Sequence, residues 1–271
     1  SSLNASAGLT LRHKRFMSGD GQVLKLPRRM TLDEAQEIVR KLKSNPYVLY
    51  AQPDKKVFPM AVPNDPEYLN QWHYKTYGAP DNEPGGVNLP PAWDITTGLA
   101  SVIIAVVDSG LVTHADLTRR VPGYDFITDI FTANDGNGRD SDPSDPGDWV
   151  TRNQCYSGSK AYDSSWHGTH TAGTIGAASN NGIGVAGINW QSKILPVRVL
   201  GKCGGYMSDI VDGMLWSAGL PVTGVPANAN PAKVINMSLG GSGTCDSTLQ
   251  NAVNQITAAG TTIVVSAGNE N

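Results

Sequence analysis

No run of apolar residues in this 271-residue chain approaches the roughly 18–20 that a helix needs to cross a bilayer. An excess of positive charge is also missing: 21 Lys and Arg stand against 24 Asp and Glu, a formal net charge of -3. That balance argues against a nucleic-acid partner, which needs a basic face, and against a polybasic membrane anchor. Residue 1 is Ser and the first methionine is Met17, so the chain is expected to start after its natural beginning, with any signal peptide lost or removed. Cysteine is scarce. Cys155, Cys203 and Cys245 lack zinc-site spacing. Two readings stay open for them: buried free thiols, or one disulfide plus a cysteine whose partner lies past Asn271. No internal repeat is present.

What the chain does contain suffices for a sizeable core. Hydrophobic residues make up 39%, and 30 Gly with 17 Pro point to tight turns and long surface loops. Residues 1–60 read differently from the rest. Residues 8–17 and 23–26 are expected as two short strands joined by the turn Ser18-Gly19-Asp20-Gly21. Thr31-Leu32-Asp33-Glu34 forms a capping box, in which Thr31 accepts from a backbone N–H and Glu34 reaches back. Ala35, Ile38, Val39 and Leu42 follow on one helical face, and Asn45-Pro46 ends the helix. Residues 47–50 and 55–58 are expected as further strands. Together these make a small α+β unit with basic residues along it, followed by a proline-rich linker at 59–66.

From about residue 93 the pattern changes. Strands are expected at 101–107, 193–200, 233–239 and 261–266. A helix at 208–218 has Ser208 as N-cap and Ile210, Val211, Met214 and Leu215 on one face. A second, at 248–259, turns Leu249, Ala252, Val253 and Ile256 inward and stops at Gly260. Strands alternating with helices imply an α/β, doubly wound, mainly parallel sheet covered on both faces. In such sheets active groups gather at the carboxyl ends of the strands. Residues 125–166 show little periodicity and carry Asp135, Asp140, Asp142, Asp145 and Asp148.

Three polar residues stand at telling places. Asp108 ends the apolar run 103–107, in Val-Val-Asp-Ser-Gly, where a carboxylate is costly without a partner. His167 opens Ser-Trp-His-Gly-Thr-His-Thr-Ala-Gly-Thr, whose small residues suggest a helix packed closely on other backbone. A carboxylate could orient its imidazole there. Asn269, in Ser-Ala-Gly-Asn after the last strand, could donate its amide to a developing oxyanion. Each has a plainer reading as a turn residue or a structural histidine. His167 and His170, three apart, could also ligate a metal, but the HExxH glutamate and a third ligand are missing.

Taken in order, Val-Val-Asp-Ser-Gly, His-Gly-Thr-His-Thr-Ala-Gly-Thr, Asn-Met-Ser-Leu-Gly-Gly and Val-Val-Ser-Ala-Gly-Asn resemble the subtilisin superfamily of serine proteases, from about residue 60 onward. The resemblance implies a secreted, extracellular serine endopeptidase precursor acting on protein and peptide substrates. Asp108 would hold the imidazole, His167 would act as general base and acid, and Asn269 would serve the oxyanion. Ser238, Leu239 and Gly240 resemble the family's substrate-binding strand, and Gly204, Gly205 and Tyr206 its opposite wall. The family's nucleophile lies in a Gly-Thr-Ser motif that residues 1–271 do not contain. The catalytic part, 61–271, is therefore expected to be truncated before it and inactive as it stands.

The resemblance implies more. Residues 1–60 match the later part of an inhibitory propeptide, an intramolecular partner that would block the groove near 57–61, assist folding and be cut off within 59–63. Asp116 with the loop 179–185 matches a calcium site, which proposes Asn181, Ile183 and Val185 as ligands. Asp135, Asp140 and Asp142 suit a second hard cation, or else a solvated acidic loop. Cys155 would pair with Cys203, and Cys245 with a cysteine outside the chain. The protein is expected to be monomeric, with neither nucleic acid nor membrane as partner. Two other classes compete: a catalytically dead binding or inhibitory protein, and a metal-binding structural protein centred on His167, His170 and the aspartates.

Overall fold

A computed structural model describes residues 2–54, 61–75, 83–241, 243 and 246–269. The chain divides into two compact units, Ser1–Pro59 and Met60–Asn271.

In the first unit, helix α1 (Ser2–Ala7) precedes an antiparallel hairpin of β1 (Arg12–Phe16) and β2 (Gln22–Lys25), then helix α2 (Leu32–Lys43). Gly19 and Asp20 turn the hairpin with φ of 75° and 62°, a region glycine enters freely and Asp tolerates. The capping box forms: Glu34 N donates to Thr31 Oγ1 at 3.2 Å and Thr31 N donates to Glu34 Oε2 at 2.7 Å. Ile38 and Leu42, one turn apart, are buried with Ala7 and pack against Leu3, Leu11 and Leu26. Helix α1 was not expected, because six residues carry no periodic stripe. The strand expected at 47–50 does not form. Val48 N closes a turn onto Asn45 O, and Tyr47 and Leu49 stand almost fully in solvent. The strand expected at 55–58 lies outside the described residues.

In the second unit, short 3-10 turns at Pro66–Asn70 and Trp72–Tyr74 and the single-turn helix α3 (Pro90–Trp93) lead into the sheet. Tyr68, Tyr74 and Trp93 bury their rings together there, the latter two 5.9 Å apart. The sheet contains β3 (Ile103–Asp108), β4 (Tyr124–Asp125), β5 (Lys193–Arg198), β6 (Val234–Met237) and β7 (Thr262–Val265). Helices α4 (Ile130–Ala133), α5 (His167–Gly176), α6 (Met207–Ser217) and α7 (Ser247–Ala258) intervene. The spatial order is β4-β5-β3-β6-β7 and every pairing is parallel.

The central strand shows why both faces are covered. Ala105 and Val107 point into one core with Val211, Met214 and Trp216 of α6 and Ile256 of α7. Val106 points to the other face, against Ala172 of α5 and Leu111. Successive strand residues face opposite ways, so an unbroken apolar run needs helices on both sides. The doubly wound parallel sheet is therefore the observed architecture. Helix starts differ from expectation by a residue. Ser208 lies inside α6, whose N-cap is Tyr206 without a side-chain bond. Asp246 caps α7, its Oδ1 accepting from Thr248 N at 2.6 Å.

Candidate active site

Because all five strands run the same way, their carboxyl ends share one edge. Asp108 is the last residue of β3 and fully buried. The segments with Gly204, Gly205 and Tyr206 follow β5, Ser238, Leu239 and Gly240 follow β6, and Asn269 follows β7. β7, the strand before Asn269, lies two strands from β3, about 10 Å at the usual strand spacing. Tyr206 and Gly240 are exposed, Ser238 and Leu239 half-buried. Beside Tyr206 opens a cleft of about 260 Å³, lined also by Thr128, Asp129, Arg139, Ser208 and Asp209.

His167 is the first residue of α5. Its Nδ1 lies 2.8 Å from Asp108 Oδ1, and its side chain is 47% exposed. The approach depends on Gly168. A Cβ there would stand 2.3 Å from Gly110 O and 3.2 Å from Asp108 Cβ, so no larger residue lets α5 start this close to β3. Asp108 Oδ1 also accepts from Ser109 N at 2.8 Å, and the Thr171 hydroxyl, one turn along α5, is a further donor near the carboxylate. Burial raises the Asp108 pKa above the ordinary carboxylate value, and the bonds from His167 and from Ser109 N oppose it. An imidazole bonded through Nδ1 to a buried carboxylate is fixed in orientation. Its Nε2 is the nitrogen left to exchange a proton.

Residues 100–271 match the model of the subtilase family, well over half of the chain. The chain belongs to the subtilase family. It is 46% identical over 267 residues to an extracellular protease of Xanthomonas campestris pv. campestris, covering 98% of this chain and 45% of that protein. It is 44% identical over 271 residues to an extracellular basic protease of Dichelobacter nodosus, covering 98% and 44%. The chain thus spans less than half the length of these relatives. Among solved structures, a protease of Pseudoalteromonas arctica superposes with a TM-score of 0.74 at 55% identity, covering 78% of this chain and 60% of that one.

The other expected site residues of this subtilase are placed as follows. Asp116 is buried, its Oδ1 accepting from Asn181 Nδ2 at 2.8 Å and its Oδ2 from Val185 N at 3.0 Å. Asn181 Oδ1 accepts from Ile183 N at 2.9 Å. The aspartates of the 125–166 segment are mostly engaged with nearby donors. Asp135 pairs with Arg198 at 2.8 Å, Asp140 accepts from Asn137 Nδ2 and Asp142 N, and Asp142 accepts from Ser144 N. Among the described residues no three His, Cys, Asp or Glu side chains form a group able to hold a metal ion. His170 lies near His73, whose pKa is lowered by burial first and by His170 second. Cys155 and Cys203 are joined by a disulfide, and Cys245 lies outside the described residues.

Several residues of this edge carry no motif of their own in the sequence. Ser109, Asp145, Asp148 and Ser165 bond around the first turn of α5, and Arg198 bonds Asp125, Asp135 and Ala133 O at the same sheet edge. Ser109 lies inside the Asp-Ser-Gly motif, and Asp145 and Asp148 flank Pro146-Gly147. Arg198 had a signal of its own: a charge inside an apolar strand demands buried carboxylates.

Proposed function

We propose that this chain is part of the precursor of an extracellular serine endopeptidase that hydrolyses peptide bonds in proteins. One observation carries the reading: the 2.8 Å contact between the buried Asp108 carboxylate and Nδ1 of His167 at the carboxyl edge of a parallel sheet. Asp108 holds the Nδ1–H tautomer and stabilises the imidazolium. His167 Nε2 takes the proton of a serine hydroxyl as that oxygen attacks the substrate carbonyl, then returns it to the leaving amine. The serine comes from outside residues 1–271. The Asn269 amide donates to the tetrahedral oxyanion, a contribution of roughly a hundredfold to a thousandfold in turnover. An extended peptide adds between Gly204-Gly205-Tyr206 and Ser238-Leu239-Gly240. The relatives named extracellular proteases support export, and among the described residues no helix is long and apolar enough to cross a membrane.

The test is made on the complete open reading frame. His167→Ala is expected to lower casein hydrolysis by about a millionfold, as removal of the general base of such a unit does. Hydrolysis at the normal rate by this variant would remove the reading. Residues 1–60 serve in the same proposal as an inhibitory propeptide. It predicts that His167→Ala protein also stays uncut near residue 60, which mass measurement of the secreted product decides.

The resemblance also proposes a structural calcium ion at Asp116. The carboxylate of Asp116 is buried, but its two oxygens accept from Asn181 Nδ2 and Val185 N, and Asn181 Oδ1 from Ile183 N, so these amides would have to turn their oxygens inward to hold a hard cation. When bound, such an ion would lend the loop rigidity. The complete protein should lose thermal stability in excess chelator, and Asp116→Ala should abolish that difference. An unchanged melting temperature in chelator would count against the site.

A further inference from the structure

Helix α5 lacks an ordinary cap. Its N-cap, Trp166, sits in left-handed backbone at φ 50° and offers no side-chain bond. The first N–H groups of any helix have no partner within it. Here two of them find serine hydroxyls from outside the helix. His167 N donates to Ser165 Oγ at 3.3 Å and Gly168 N donates to Ser109 Oγ at 3.0 Å.

Each serine is held by an aspartate of one short turn. Ser109 Oγ donates to Asp145 Oδ2 at 2.8 Å. Ser165 Oγ donates to Asp148 Oδ2 at 2.8 Å, and Ser165 N to Asp148 Oδ1 at 2.6 Å. A hydroxyl that gives its proton to a carboxylate keeps its lone pairs for an N–H. The turn Asp145-Pro146-Gly147-Asp148 is itself fixed. Asp145 N donates to Leu111 O, Leu111 N to Pro143 O, and Gly147 N to Asp145 Oδ1. Gly147 has φ 98°, and a Cβ on it would meet Ser164 Oγ at 2.4 Å.

We propose that Asp145 and Asp148 are positioning residues that set the His167 imidazole against Asp108, acting through Ser109 and Ser165. The proposal rests on reading Asp108 and His167 as members of a catalytic triad. No bond joins either carboxylate to the imidazole. Ser109 is the joint of the device: its N–H donates to Asp108 Oδ1 while its Oγ receives the helix N–H of Gly168. One residue thus ties the strand that carries the carboxylate to the helix that carries the imidazole. Asp145 and Ser109 are 7% and 3% exposed, so water does not readily replace either partner. Two negative charges near the start of α5 also suit the positive end of its dipole. Releasing Ser109 frees the first turn to shift, and a misplacement of about 1 Å can cost on the order of a hundredfold in rate.

The complete protein tests this with Asp145→Ala, Asp145→Asn, Ser109→Ala and the double variant Asp145→Ala/Ser109→Ala. On a short chromogenic peptide, Asp145→Ala should lower kcat about tenfold or more with KM held within about twofold. Asp145→Asn keeps an acceptor for the Ser109 hydroxyl and should retain most of kcat. The double variant should be no slower than the slower single one, because both break the same relay. Hydrogen exchange reads the clamp without turnover: the Gly168 amide should exchange about tenfold faster in Asp145→Ala, with the amides of β3 and β5 unchanged. Unchanged Gly168 exchange, or losses in kcat that multiply in the double variant, overturns the proposal. Wild-type protein without peptidase activity overturns the functional reading instead, and Gly168 exchange still decides the clamp.

Discussion

A guanidinium keeps its proton in any protein interior, so Arg198, buried at the end of β5, has to be met by carboxylates. It donates to Asp125, to Asp135 and to the carbonyl of Ala133. Burial pushes the Asp125 pKa up to about 7, with the Arg198 charge pulling down and Asp135 pushing up. Asp108 and Asp145 are raised too, again by burial first. For such groups the unfolded chain gives up its proton near pH 4 while the folded chain still holds one. Stability therefore falls as pH rises from about 4 to the folded value, by up to roughly 1.4 kcal/mol per pH unit for each proton, and is level above it. Urea unfolding of the His167→Ala protein, chosen to prevent self-digestion, should show a higher midpoint at pH 5 than at pH 8. Asp125→Asn should flatten that slope. An unaltered slope would mean that Asp125 titrates alike in both states.

At the scale of elements, what the chain discloses in advance depends on where the hydrogen bonds go. The apolar runs before Asp108, Ser238 and Asn269 announce strands, because a buried backbone has to pair with a neighbour. Helices α2, α6 and α7 announce themselves by their stripes, and α2 also by its capping box. The 125–166 segment offers no period, yet it is ordered. Its order comes from side chains bonding nearby backbone, as Asp142 does with Ser144 N, and from ion pairs such as Arg139 with Asp209 at 2.6 Å. No periodic pattern encodes such bonds. The site divides the same way. Asp108 and His167 were legible because their motifs name them, whereas Asp145 and Asp148 matter only through serines distant in the chain. The failed strand at 47–50 makes the converse point. Tyr47, Val48, Leu49 and Tyr50 have strand propensity, but among the described residues no edge pairs with them.

At the scale of the molecule, the question is what keeps a long aperiodic segment attached to the sheet edge. The Cys155–Cys203 disulfide closes a separation of 48 residues and joins that segment to the turn just before Gly204, Gly205 and Tyr206. A loop of that length, closed in the unfolded chain, corresponds to about 4 kcal/mol of stabilisation by the chain-entropy estimate. Locally the native contacts are redundant. Lys202 is buried, its ammonium 3.8 Å from the Trp149 ring and its N–H donating to Thr132 O. Losing the bond should therefore act on the unfolded state far more than on the folded one. Cys155→Ser/Cys203→Ser in the His167→Ala background is expected to lower unfolding free energy by roughly 3–4 kcal/mol, speeding the slowest amides of β3 and β5, which exchange through global unfolding, by the matching factor while locally opening amides at 201–206 keep their rates. If Lys202 and its neighbours instead open along with the pair, exchange at 201–206 will rise in step with the stability lost. The disulfide would then be holding the proposed substrate wall in place rather than constraining the unfolded chain.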